Sequence, residues 1–241
     1  MLLSKNPDRF LPGAWPTYYK KAKGCTITDL DGNKLTDVSL MGVGTNTLGY
    51  SNKEIDSAVK KAVNEGNMST LNSVEEVKLA EKLIEIHPWF HMAKFTRTGG
   101  EANAVAIRIA RAASGKDNVA ICGYHGWHDW YLSANLNSRD NKNLDSHLLK
   151  GLKIKGVPKV LKKTTFPFNY GDYRQFKKII KRNNIGVIKM EVCRNTKPDI
   201  KFLKYIRSIA YKKKIILIFD ECTTGFRQSY GGLHKLSLIH I

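Results

Sequence analysis

The stretch Lys214-Ile-Ile-Leu-Ile-Phe-Asp220-Glu221-Cys222-Thr-Thr-Gly225-Phe226-Arg227 decides the fold. Apolar residues 215–219 lie between lysines on one side and two acids on the other. The run is too short for an independent helix and rich in isoleucine, which reads as a buried strand. An acid at the carboxyl end of such a strand sits where open α/β sheets bind ligands.

The chain has 241 residues, of which 42% are hydrophobic and 25% charged, enough for one large domain or a domain with a smaller piece. No segment approaches the ~20 apolar residues of a membrane span, and the first residues lack the apolar centre of a signal peptide. A cytoplasmic location is therefore expected. The four cysteines, Cys25, Cys122, Cys193 and Cys222, are far apart and form no Cys-x-x-Cys pair, so reduced thiols are expected. The formal charge of +19 raises the possibility of nucleic-acid binding. Its lysines, however, are scattered along the chain without an aromatic-interleaved platform, which favours a solvated basic surface. That surface also suits anionic small molecules.

Working outward from Asp220, strands are expected near Ala93–Thr96, Val119–Cys122, Val160–Thr164, Gly186–Glu191 and Ile215–Phe219. Helices are expected near Glu101–Ala113, Asp172–Arg182 and Ile200–Lys212. This alternation predicts an α/β fold with a mostly parallel sheet flanked by helices. Towards the N-terminus, Lys53–Asn64 and the segment from Ser73 to Ile86 show helical spacing or a capping box. Thr26–Val38 reads as a hairpin turning at Asp31-Gly32. Met41–Tyr50 reads as a glycine-rich loop and Leu136–Gly156 as an irregular excursion.

Four chemical signals fall on the same sheet rim. Thr98-Gly99-Gly100-Glu101-Ala102-Asn103 follows a strand and opens a helix, leaving N–H groups accessible to a phosphate. It is not the dinucleotide Gly-x-Gly-x-x-Gly fingerprint. Gly123-Tyr124-His125-Gly126 ends another strand and offers aromatic surface to a flat ligand. His125-x-x-His128 has no nearby third ligand, so metal binding is not expected. Lys189-Met190-Glu191-Val192-Cys193-Arg194-Asn195 ends the next strand, so Glu191 and Asp220 finish strands of the same sheet on one rim. Each signal alone also fits a turn or a solvated strand end. Their convergence favours a ligand site.

These residues resemble the class III (omega-type) aminotransferases and the related glutamate-1-semialdehyde aminomutases. The resemblance runs from about Phe10 to Lys235. It rests on Asp29-Leu-Asp31-Gly32-Asn33 with Asp37, Gly44-Thr-Asn46-x-x-Gly49-Tyr50, the Thr-Gly-Gly-Glu-Ala-Asn turn, Tyr-His-Gly, and Asp220-Glu221-x-Thr-x-Gly225-Phe226-Arg227. It implies a fold type I enzyme using pyridoxal 5′-phosphate. Residues 1–50 would form an arm and hairpin of the small domain, and 51–241 an incomplete large domain that binds the cofactor. Asp220 would meet the protonated pyridine nitrogen, an attraction of about 4 kcal/mol at ~4 Å and an effective dielectric of ~20. Gly99 and Gly100 would bind the phosphate, Tyr124 would stack on the ring with His125 beside it, and Cys222 would lie under the other face. Glu191 and Asn195 would stand near the phenolic oxygen and the substrate.

The resemblance also implies a small-molecule amino donor, a carbonyl acceptor and a homodimer in the full-length form, with neither nucleic acid nor membrane as partner. Three departures qualify it. Gly100 replaces a commoner serine or threonine, Val192 replaces proline, and the Ser-Pro-Val-Arg run of true aminomutases is absent. Intermolecular amino transfer is therefore expected ahead of an intramolecular amino shift. A non-catalytic protein that binds the cofactor or a phosphate is a further alternative. The family's Schiff-base lysine is expected beyond Ile241, and Leu236–Ile241 does not resemble the family's continuation. A premature stop, frameshift or assembly junction near residue 236, and an inactive fragment, are the corresponding expectations.

Overall fold

The structure is a computed structural model that describes residues 10–11, 13–140, 142–147, 153–193 and 196–237. The chain divides into two compact units, Met1–Ser73 and Val74–Ile241.

The first unit carries an antiparallel sheet of β1 (Tyr19–Lys23), β2 (Thr26–Asp29) and β3 (Lys34–Thr36), in that order. The expected hairpin is present: Ile27 pairs with Leu35, and Gly32 takes φ +90° in the turn. Asp29 closes that turn by accepting from the Asn33 backbone at 2.8 Å and from its side-chain amide at 3.0 Å. A short helix, α1 (Met41–Gly44), interrupts the expected loop. In α2 (Lys53–Asn64) the Asn52 side chain caps the first turn, accepting from Glu54 and Ile55 N–H.

The second unit begins with α3 (Val74–Ile86) and α4 (Gly99–Ser114), followed by β4 (Asn118–Cys122) and the short α5 (Asp129–Leu132). After β5 (Thr165–Pro167) come α6 (Tyr173–Arg182), β6 (Ile185–Glu191), α7 (Ile200–Lys212), β7 (Ile216–Asp220) and the short α8 (His234–Ser237). The sheet order is β5-β4-β6-β7, with every neighbouring pair parallel. Strand alternation builds the layers. Ile188 and Met190 join Phe176, Phe202, Leu203 and Ile206 in a core on the α6/α7 side. Val187 joins Ile107, Ala110 and Ile121 in a core that includes α4. Full burial of each such side chain contributes roughly 2 kcal/mol. The chain passes from β4 to β5 on one side, then returns across to β6 on the other. The C-terminal end of β4 thus lies at a topological switch point.

Two expected strands require correction. Residues 91–96 have no strand geometry, and Met92 is 87% exposed, which is incompatible with a parallel strand covered on both faces. Within Val160–Thr164, a single 3-10 turn occupies Lys159–Leu161. Lys163 then adopts φ +63°, breaking extension before β5 starts at Thr165.

Candidate active site

Glu191 and Asp220 end adjacent parallel strands and are paired in register. Both are buried, at 4% and 8% exposure. Asp220 Oδ2 accepts from His125 Nδ1 at 2.9 Å and lies 3.4 Å from Lys189 Nζ, while Oδ1 accepts from the Cys222 N–H at 3.1 Å. Burial works to raise the Asp220 carboxyl. The His125 hydrogen bond, the Lys189 charge and the Cys222 N–H outweigh it, holding the group well below the usual carboxylate range.

His125 comes from the turn after β4. Its carbonyl accepts from the Asn103 side-chain amide at 3.1 Å, which ties that turn to α4. The ring stacks near Trp130 and meets Tyr131 edge-on. Burial pushes His125 down, so a neutral ring donates through Nδ1 to the ionised Asp220. Its Nε2 is buried with no partner among the described residues. His125 is thus a bonded support for Asp220 rather than an exposed group.

Glu191 Oε2 accepts from the Tyr124 N–H at 3.1 Å, and Oε1 accepts from the Thr223 hydroxyl at 3.4 Å. This bridges the ends of three strands. Gly123 has φ +108°, and a Cβ there would overlap the Glu191 carboxylate, so glycine is required twice over. Its N–H donates to His147 Nδ1 at 3.0 Å. Burial pushes His147 down to about 4, keeping that ring neutral and Nδ1 an acceptor.

At the start of α4, Thr98 is the N-cap, accepting from the Glu101 N–H at 3.2 Å. Glu101 reaches back to the Arg97 N–H at 2.9 Å. Gly99 and Gly100 form the first turn. A Cβ on Gly99 would lie 3.9 Å from Cys222 Sγ, and one on Gly100 would lie 2.7 Å from His128 Nε2. A Cβ on Gly126 would lie 3.5 Å from the Gly100 Cα. The glycine turn, the aromatic turn and Cys222 therefore meet near the N-terminus of α4. The His128 ring occupies the space left by the missing side chain at Gly100.

The structure brings together Gly99, Gly100, Tyr124, His125, Glu191, Asp220 and Cys222. Asn195 lies outside the described residues. The sequence reading missed Lys189, His147 and the His128–Gly100 packing. A lysine inside the apolar run of β6, on the same strand face as Glu191, was the available signal for the first. No group of three or more possible metal ligands occurs among the described residues.

The donor set and shape fit pyridoxal 5′-phosphate. An ionised buried acid, the glycine turn that opens α4 with its first-turn N–H groups, and the neighbouring aromatic turn meet its three parts.

Comparisons with known proteins identify the family and the fold. The family profile for class-III aminotransferases matches residues 12–233. A 3-aminobutyryl-CoA aminotransferase of Cloacimonas acidaminovorans is 33% identical over 96% of this chain and 53% of that protein. A glutamate-1-semialdehyde 2,1-aminomutase of Methanobrevibacter smithii is 31% identical, over 97% of this chain and 57% of that protein. The chain spans about half the length of the curated relatives it matches. Among solved structures, an omega-transaminase from Sphaerobacter thermophilus superposes with TM-score 0.80 at 24% identity, covering 95% of this chain and 56% of that one. A beta-phenylalanine aminotransferase from Variovorax paradoxus gives 0.76 at 23% identity, covering 98% and 52%. The fold is that of the transaminases, and the chain belongs to the class-III aminotransferase family.

Proposed function

We propose that this chain carries cofactor-binding machinery of an enzyme that transfers an amino group from an amino acid or amine to a carbonyl acceptor, with pyridoxal 5′-phosphate as cofactor. The observation carrying this reading is Asp220, buried, ionised and fixed by His125 at the end of β7. When bound, the cofactor supplies an electron-withdrawing ring that stabilises negative charge on the substrate carbon bearing the amino group. Asp220 holds a proton at the ring nitrogen, and His125 holds Asp220. Backbone N–H groups at Gly99 and Gly100 bind the phosphate. Tyr124 and Cys222 would hold the ring between them, and Glu191, aligned by the Tyr124 N–H and the Thr223 hydroxyl, would orient its polar substituents.

Family membership supports the cofactor and reaction class. Relatives include enzymes named as an aminotransferase and as aminomutases. The absence of the Ser-Pro-Val-Arg run favours intermolecular transfer. Residues 1–50 are assigned to the smaller domain and 51–241 to the cofactor domain. A cytoplasmic location and a homodimer are part of the proposal; no helix among the described residues is long and apolar enough to cross a membrane.

Equilibrium dialysis with pyridoxal 5′-phosphate and with pyridoxal tests the reading. Saturable binding at one site per chain is expected, weaker for the form lacking phosphate. Non-saturable uptake, or equal affinity for both, contradicts it.

A further inference from the structure

Lys189 has no role in the machinery above, yet it is a lysine with only 2% of its side chain exposed, in the middle of a sheet. Its strand neighbours are Ile121 and Ile218. On its face of the sheet, Val187, Ile121, Ile107 and Ala110 form an apolar cluster. An ammonium in such surroundings is costly unless paired. Its ion-pair partner is Asp220, at 3.4 Å from Oδ2. Burial pushes the Lys189 ammonium down, while Asp220, Glu191 and, more weakly, Cys222 pull it back.

Counting acceptors on Asp220 sharpens the point. A carboxylate has about four lone-pair sites. His125 takes one on Oδ2, with the Lys189 ammonium 3.4 Å from the same oxygen, and the Cys222 N–H takes one on Oδ1. One site on Oδ1 remains for a ring N–H. A protonated ring bound there would share a single carboxylate with a buried ammonium, and like charges at close range disfavour each other.

We propose that Lys189 is a positioning residue that fixes Oδ2 of Asp220 and lowers the proton affinity of a pyridine nitrogen bound at Oδ1. The ring nitrogen in this protein is therefore less firmly protonated than the aspartate alone would make it. This rests on the cofactor reading above. His125 does not take over when Lys189 is removed, because a second ring proton would sit on Nε2, which is buried with no acceptor among the described residues.

The test uses pyridoxamine 5′-phosphate labelled with 15N in the ring, bound to the chain, and follows the ring nitrogen's chemical shift against pH. Lys189→Met removes charge and donor; Lys189→Gln removes the charge but keeps an N–H for Oδ2. The expected result is that the pH at which the bound ring loses its proton rises by about one unit or more in both variants, a tenfold or larger gain in proton affinity. If Met fails to fold, Gln gives the same readout. An unchanged or lower titration pH with the ring bound overturns the role of Lys189. Failure of the wild-type chain to bind the labelled probe contradicts the cofactor reading beneath it.

Discussion

At Gly100 the explanation is a neighbouring ring. Alanine would suit the helical backbone better than glycine by roughly 0.5–1 kcal/mol. A Cβ at this position, however, would stand 2.7 Å from His128 Nε2. Gly100→Ala is therefore expected to destabilise the chain by about 1 kcal/mol while His128 is present. In a His128→Ala background the same change should stabilise it by up to about 1 kcal/mol. Urea unfolding of the two single variants and the double variant measures this sign reversal; the same sign in both backgrounds contradicts it.

Glu221 is a second residue whose role is structural. It accepts from the Thr224 hydroxyl at 2.7 Å, the Leu233 N–H at 2.9 Å, and the His234 N–H and Nδ1 at 2.7 and 2.6 Å. Partial burial works to raise its carboxyl. The bonds from His234, Thr224 and Leu233 outweigh it and hold the group below its ordinary range. Its folded-state value is thus depressed. The resulting stability is present above the unfolded value and is lost as pH falls through the folded one. Acid unfolding should be less steep in Glu221→Gln than in wild type below about pH 5, with lower stability at pH 7. Parallel acid slopes would show that Glu221 does not contribute.

Among the elements, α7 and the strands β4, β6 and β7 were legible because burial and pattern agree. The α7 residues Phe202, Leu203, Ile206 and Ala210 recur at helical spacing and are buried together, and Asp199 caps the helix through the Phe202 N–H. All seven residues of β6 are buried, as a central parallel strand requires. β5 was misplaced because a left-handed Lys163 is invisible in an otherwise strand-like run. Lys189 lies inside the expected strand Gly186–Glu191, but nothing in its own segment names the acid on the neighbouring strand that neutralises it. The start of α4 was legible from its glycines and acid. Thr98→Ala should cost about 1 kcal/mol, read as a lower urea midpoint. No loss would mean that the Glu101 N–H bond does not secure the helix end.

On the scale of the whole molecule, the active-site reading arises from convergence. Asp220, Glu191, the Tyr124-His125 turn and the α4 terminus come from separate parts of the sequence, and the parallel sheet gathers their ends. What sequence could not convey is which of them bond to each other, since His125 to Asp220 spans 95 positions. The surface is also informative. Helix α2 buries none of its residues, leaving Ile55, Val59 and Val63 each more than half exposed. These exposed apolar residues predict self-association or binding of a hydrophobic dye. Sedimentation velocity showing a monodisperse monomer without dye binding would contradict it.

The central claim is that Asp220 is the ionic partner of a bound cofactor ring. Its most direct test is the affinity of pyridoxal 5′-phosphate for wild type and for Asp220→Asn, with folding checked by circular dichroism. The charge-assisted hydrogen bond predicts a loss of about 10- to 100-fold in the variant. Equal affinity in a folded variant would contradict the account.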